Sequence, residues 1–100
     1  MNNIKVFEND LPDIDLSEEK RISLDCEALG LVLGRDPLTL IQLGLESKKF
    51  FIIKLNRKNY IAPNLVKLLT NANCEFIMHY ARQDLLWLKY HLKVSPKTVS

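Results

Sequence analysis

One hundred residues, 47% hydrophobic and 26% charged, make a chain of one-domain length with an ordinary globular composition. Three glycines and four prolines exclude a fibrous repeat and give no sign of disorder. Fourteen Lys and Arg against twelve Asp and Glu leave a net charge of +2, too weak to argue for nucleic acid by itself, although a local patch still can.

The opening "MNNIKVFENDLPDIDL" has no basic stretch followed by an apolar one, so no signal peptide is expected. No apolar run approaches the length of a membrane span. Cys26 and Cys74 both sit in apolar, strand-like stretches and read as small buried hydrophobes of a reducing compartment. The expectation is a cytoplasmic chain with no membrane partner.

In chain order, "IKVF" reads as a short first strand, followed by an acidic loop through Glu19. "RISLDCEA" is the first strong strand, and Gly30, Gly34 and "GRDP" then reverse the chain. "LTLIQLGLE" follows, with Leu38, Leu40, Gln42 and Gly44 expected on one side and Thr39, Ile41, Leu43 and Leu45 on the other. A short turn at Glu46–Ser47 joins it to "KKFFIIKL" as an antiparallel hairpin. Pro63 opens a helix whose apolar stripe is Leu65, Leu68 and Leu69. "CEFIMH" is another strand, and "ARQDLLWLKYHLK" repeats Ala81, Leu85, Leu88 and Leu92 at helical spacing. Three hairpin-like strands followed by helix, strand and helix predict an α/β mixed sheet with flanking helices, in one domain over residues 1–100.

The chemistry begins at "SLDCEALGL". Asp25 and Glu27 are one residue apart in a strand, so they share a face while Leu24 and Cys26 take the other. Ionised carboxylates on a core strand need compensation. Converging carboxylate oxygens suit a hard divalent cation such as Mg²⁺ or Mn²⁺. The alternative is structural, with one acid paired to an Arg or Lys and the other capping a turn. Asp84 stands in the first turn of the last helix, at the edge of its sheet-packing face, where an acid also complements the helix dipole.

"ISLDCEALGL", "LTLIQLG", "APNLVKLL" and "IMHYARQDLLWL", in that order and spacing, resemble the ribonuclease D-like 3′–5′ exonucleases of the DEDD superfamily, and most nearly their compact bacterial form, nanoRNase C. The likeness runs from about Ile4 to Val94. It implies a ribonuclease H-like fold and a metal-dependent 3′–5′ exoribonuclease acting on the 3′ end of short RNA. By resemblance, Asp25, Glu27 and Asp84 are the catalytic acids and hold two divalent cations, Mg²⁺ or Mn²⁺, with Glu27 helping to orient the attacking water. Ala28 and Leu29 match positions that lie against the terminal base, His79 matches a histidine that approaches the substrate, and Arg82 is placed to meet a phosphate. Their structural readings stand beside these: Leu29 as core, His79 as a partly buried strand-end residue, Arg82 as a solvated helix-start cation. Trp87 reads as packing.

The resemblance also marks what the chain lacks. The family carries a fourth acid on a later helix, four residues after a Tyr or His, and no such pair follows Asp84. Tyr80 and Asp84 have that spacing but belong to the second motif. The expectation is therefore a C-terminally truncated, incomplete exonuclease domain with apolar sheet surface left open. Three hypotheses follow: an enzyme completed by a homo-oligomer or by a partner chain supplying the missing part, an inactive remnant that binds short RNA, DNA or a partner, and an unrelated α/β interaction domain whose acids are salt-bridged.

Overall fold

The computed structural model describes residues 3–100; Met1 and Asn2, the start of the segment read for a signal peptide, lie outside it. Five strands and two helices follow in the order β1 (Asn3–Glu8), β2 (Arg21–Ala28), β3 (Leu38–Leu45), β4 (Lys49–Lys54), α1 (Pro63–Leu69), β5 (Glu75–Ile77) and α2 (Ala81–Leu92). The strands form one mixed sheet ordered β1-β4-β3-β2-β5. The β2–β3 and β3–β4 pairs are antiparallel, the second joined by a short turn, while β1–β4 and β2–β5 are parallel. Among the described residues no helix is long and apolar enough to cross a membrane.

Period-two alternation splits the sheet into two unlike faces. Ile22, Leu24, Ile41, Leu43, Phe51 and Ile53 turn to one side and are buried. Leu65, Leu68 and Leu69 of α1 and Trp87, Leu88 and Leu92 of α2 belong to the same cluster, so both helices pack on that side. Each such Leu or Ile contributes about 1.5–3 kcal/mol relative to exposure. On the opposite side the register aligns Asp25, Gln42, Ile52 and Val6 in one row and Ile77, Ser23, Gly44, Phe50 and Ile4 in the next. Ile4, Val6 and Phe50 are about half exposed there, so the uncovered apolar sheet surface expected from the sequence is present.

Helix α1 starts with Pro63, whose missing N–H costs nothing at that position. The free amides of Asn64 and Leu65 donate to the two oxygens of Asp10, at 2.9 and 2.8 Å, so the loop after β1 caps the helix from outside it. Cys26 and Cys74 are free thiols, Cys74 buried and Cys26 partly so.

One side-chain assignment needs correction. Leu38 is fully buried instead of sharing a side with Gln42 and Gly44. The pairing steps from Glu27↔Leu40 to Ala28↔Leu38, leaving Thr39 as an extra residue. That bulge reverses the alternation before Leu40 and turns Leu38 into the core.

Candidate active site

Asp25 and Glu27 lie on the uncovered face of β2, a central strand flanked by β3 and β5. Both are exposed, so the desolvation expected for acids on a core strand does not arise. Gln42 faces Asp25 across the β2–β3 pairing, and its side-chain amide donates to Glu27 Oε1 at 3.3 Å. The Thr39 hydroxyl donates to the Glu27 carbonyl at 3.0 Å, pinning the strand where the bulge begins. A shallow cavity of about 180 Å³ opens beside Asp25, lined by Ser23, Gln42, Gly44, Phe50 and Ile52 among others. Two larger cavities, about 400 and 520 Å³, lie against the segment 11–19 and include none of the candidate residues.

Asp84 is the one buried charged side chain among the described residues, 6% exposed. It sits on α2, which packs against β2, and the stripe that buries Leu88 and Leu92 carries it inward. Burial pushes its carboxyl above the ordinary aspartate value; the Cys26 amide opposes this, the negative field of Asp25 adds to it, and the Cys26 thiol opposes it weakly. Burial, followed by the charges of Asp84 and Asp25, pushes the Cys26 thiol far above its ordinary value and keeps it protonated. Asp84 thus reaches β2 at Cys26, between the two exposed acids in sequence, and within the field of Asp25.

Among the described residues none of the three acids has a cationic partner. The ion pairs among the described residues are Arg21–Glu75 and Arg35–Asp36, both elsewhere. Unpaired carboxylate oxygens are the donor chemistry that a hard divalent cation takes. Their spacing is looser than a preformed metal centre: the described residues contain no group of three or more His, Cys, Asp or Glu side chains placed to hold a metal ion.

The other sequence candidates lie around the ends of β2 and α2. Ala28 is half-buried at the end of β2, and Leu29 is 66% exposed, so its reading as core does not hold. The loop after it also displays Leu31, Val32 and Leu33, and is tied by Asp36, which accepts from the Val32 amide at 2.9 Å and from Arg35 at 2.9 and 3.0 Å. His79 is exposed and meets the Tyr80 ring edge-on at 4.7 Å. Arg82 is exposed on the first turn of α2, and Trp87 is buried in the core. Sequence reasoning missed Gln42 and Cys26 as members of this site. Gln42 was visible only as a polar residue in an apolar strand; nothing in the sequence tied Cys26 to Asp84.

The chain matches the family described as 3′-5′ exonuclease over residues 13–100. Comparison with curated proteins finds no match. Among solved structures, Brucella melitensis NrnC bound to pGG superposes with a TM-score of 0.91 at 32% identity, over 99% of this chain and 48% of that one. Brucella melitensis NrnC with bound Mg²⁺ gives 0.90 at 33% identity, over 99% and 49%. Trypanosoma brucei RNase D in complex with RNA U12 gives 0.69 at 21% identity over 84% and 30%, a likeness of fold alone. The chain spans about half the length of the NrnC structures it matches. The mixed α/β sheet expected from the sequence is their ribonuclease H-like nuclease fold, and the chain belongs to the 3′-5′ exonuclease family.

Proposed function

We propose that this chain is the N-terminal part of a metal-dependent 3′–5′ exoribonuclease of the cytoplasm that hydrolyses short RNA, or DNA, from its 3′ end. The observation that carries the reading is that the buried Asp84 reaches β2 at Cys26, which stands between the exposed Asp25 and Glu27 in sequence, and that among the described residues none of the three acids has an ion-pair partner, in a chain of exonuclease family. In its support, similar proteins have been seen with pGG and with Mg²⁺.

In this reading Asp25, Glu27 and Asp84 hold two divalent cations, Mg²⁺ or Mn²⁺. Bound there, the cations supply charge neutralisation at the reacting phosphate. Glu27 orients the water, with Gln42 fixing one of its oxygens. Ala28 and the exposed Leu29 lie against the terminal base without reading it, and His79 and Arg82 approach the phosphate. The water oxygen bonds to phosphorus as the bond to the preceding 3′ oxygen breaks. The shortened strand leaves with a 3′-hydroxyl and the released nucleotide carries the 5′-phosphate. The remaining acid and the base acting on the water come from outside these hundred residues, and a homo-oligomer or a partner chain that also covers the open face is one source of them.

A second reading, an inactive domain that binds nucleic acid or a partner, is favoured by the absence of a closed metal-binding group among the described residues. Release of 3′ nucleotides from a 5′-labelled RNA of a few residues, with Mn²⁺ or Mg²⁺, separates the two. Stepwise shortening that vanishes in Asp25→Ala supports the enzyme; equal, negligible turnover in both, together with no saturable Mn²⁺ binding by the wild type, supports the binding module.

A further inference from the structure

Three cations, Lys54, Arg57 and Lys58, stand at the Glu27 end of the sheet and make no ion pair among the described residues. Lys54, the last residue of β4, stands on the uncovered face in the cross-strand row Glu27, Leu40, Lys54, Glu8. Two strand spacings place it about 10 Å from Glu27. Glu8, its neighbour on β1, makes no ion pair with it among the described residues. Arg57 and Lys58 follow on an exposed turn.

That turn is fixed. Asn56 accepts at its carbonyl from Tyr60 N–H at 2.8 Å and at its side chain from Lys58 N–H at 2.9 Å. Tyr60 takes a left-handed φ of 50°, which directs its hydroxyl to donate to the Leu38 carbonyl at 2.8 Å. Leu38 pairs with Ala28, and the Leu29 amide donates to the adjoining Pro37 carbonyl at 3.0 Å. A short run of bonds therefore holds the basic turn against Ala28 and Leu29.

The geometry points to a phosphate-contact site in which Lys54, Arg57 and Lys58 meet the backbone of a single-stranded RNA whose 3′ end lies at Ala28, Leu29 and the acids. The inference rests on the reading of the chain as part of an RNA 3′-end nuclease. Phosphate contacts position a strand without reading its sequence, which suits an enzyme that removes any terminal base. A rigid turn also spends little ordering entropy on binding.

The test is fluorescence anisotropy of a 5′-labelled oligoribonucleotide in EDTA, from 50 to 200 mM salt, on the full chain. Each phosphate contact on a single strand adds about 0.7 to the slope of log affinity against log salt. Lys54→Gln/Arg57→Gln/Lys58→Gln together should lower that slope by about 2 and weaken binding about tenfold, equally for different base sequences. Lys48→Gln/Lys49→Gln, at the opposite end of the sheet, should change neither. An unchanged slope in the first variant, an equal loss in the second, or no binding by the wild type overturns the site. If the triple variant fails to fold by circular dichroism, Arg57→Gln alone carries the test through a slope change of about 0.7. Because EDTA removes the cations, the result is independent of turnover; a failed nuclease reading shows instead as equal activity in wild type and Asp25→Ala.

Discussion

Gln42 faces Asp25 in the strand register but gives its amide to Glu27, at 3.3 Å. One neutral side chain thus faces one acid of the strand in the register, bonds the other, and leaves the second oxygen of Glu27 without a protein partner among the described residues. Partners of this kind, standing behind a ligand, change metal affinity by about 10- to 100-fold when removed. Gln42→Leu is therefore expected to raise the Mn²⁺ dissociation constant about tenfold by isothermal titration calorimetry, while the thermal unfolding midpoint moves little, because the site is exposed to water.

Asp84 carries the opposite signature. Burial raises its folded pKa above the unfolded 3.8, so the folded chain binds the proton more tightly. Stability from this group is full below 3.8 and is lost as pH rises through the raised folded value. At neutral pH, without cation, the ionised carboxylate is a cost. Asp84→Asn should raise the melting temperature by a few degrees at pH 7, with the gain disappearing below about pH 4. A melting temperature lowered at pH 7 in metal-free buffer would show that the carboxylate is already compensated.

His91 provides a second pH effect, remote from the acids. Its ring stacks on Trp87 at 5.4 Å and 8°, lies 4.7 Å from Tyr60, and keeps Nε2 buried without a partner. Burial first, and Lys93 second, push its pKa below the ordinary 6.5. Protonation thus favours the unfolded chain: stability is complete above pH 6.5 and is lost as pH falls toward the lowered folded value. Melting curves between pH 7 and 5 should flatten in His91→Phe, which preserves the stack and cannot titrate.

The 29–36 loop depends on Gly30. A Cβ there would run into the Asp36 carboxylate that holds Val32 N–H and Arg35. Gly30→Ala should displace Asp36, loosen the loop that presents Leu29, and speed tryptic cleavage after Arg35 several-fold, at a stability cost of about 1 kcal/mol. Cleavage at the wild-type rate would mean that the loop is held by something other than Asp36.

What the sequence made legible follows from its periodicities. Alternation placed Asp25 and Glu27 on one face, and helical spacing placed Asp84 beside the buried stripe, because both are local geometry. Leu38 was assigned to the wrong side because one extra residue at Thr39 reverses alternation, and no local residue type announces such a bulge. The parallel pairing of β1 with β4 and the contact of Asp84 with Cys26 depend on chain segments far apart in sequence. Gln42 is the intermediate case. Its face was correctly read, but its bond to Glu27 needs the β2–β3 register, which a one-residue slip would abolish.

The central claim is that Asp25, Glu27 and Asp84 form one cation site. The most direct measurement is Mn²⁺ binding by electron paramagnetic resonance, with Asp25→Ala, Glu27→Ala and Asp84→Ala beside the wild type and each fold checked by circular dichroism. The account predicts saturable binding by the wild type and at least a tenfold loss in each folded variant. Wild-type chain that leaves Mn²⁺ free, or variants that bind it equally well, would contradict it.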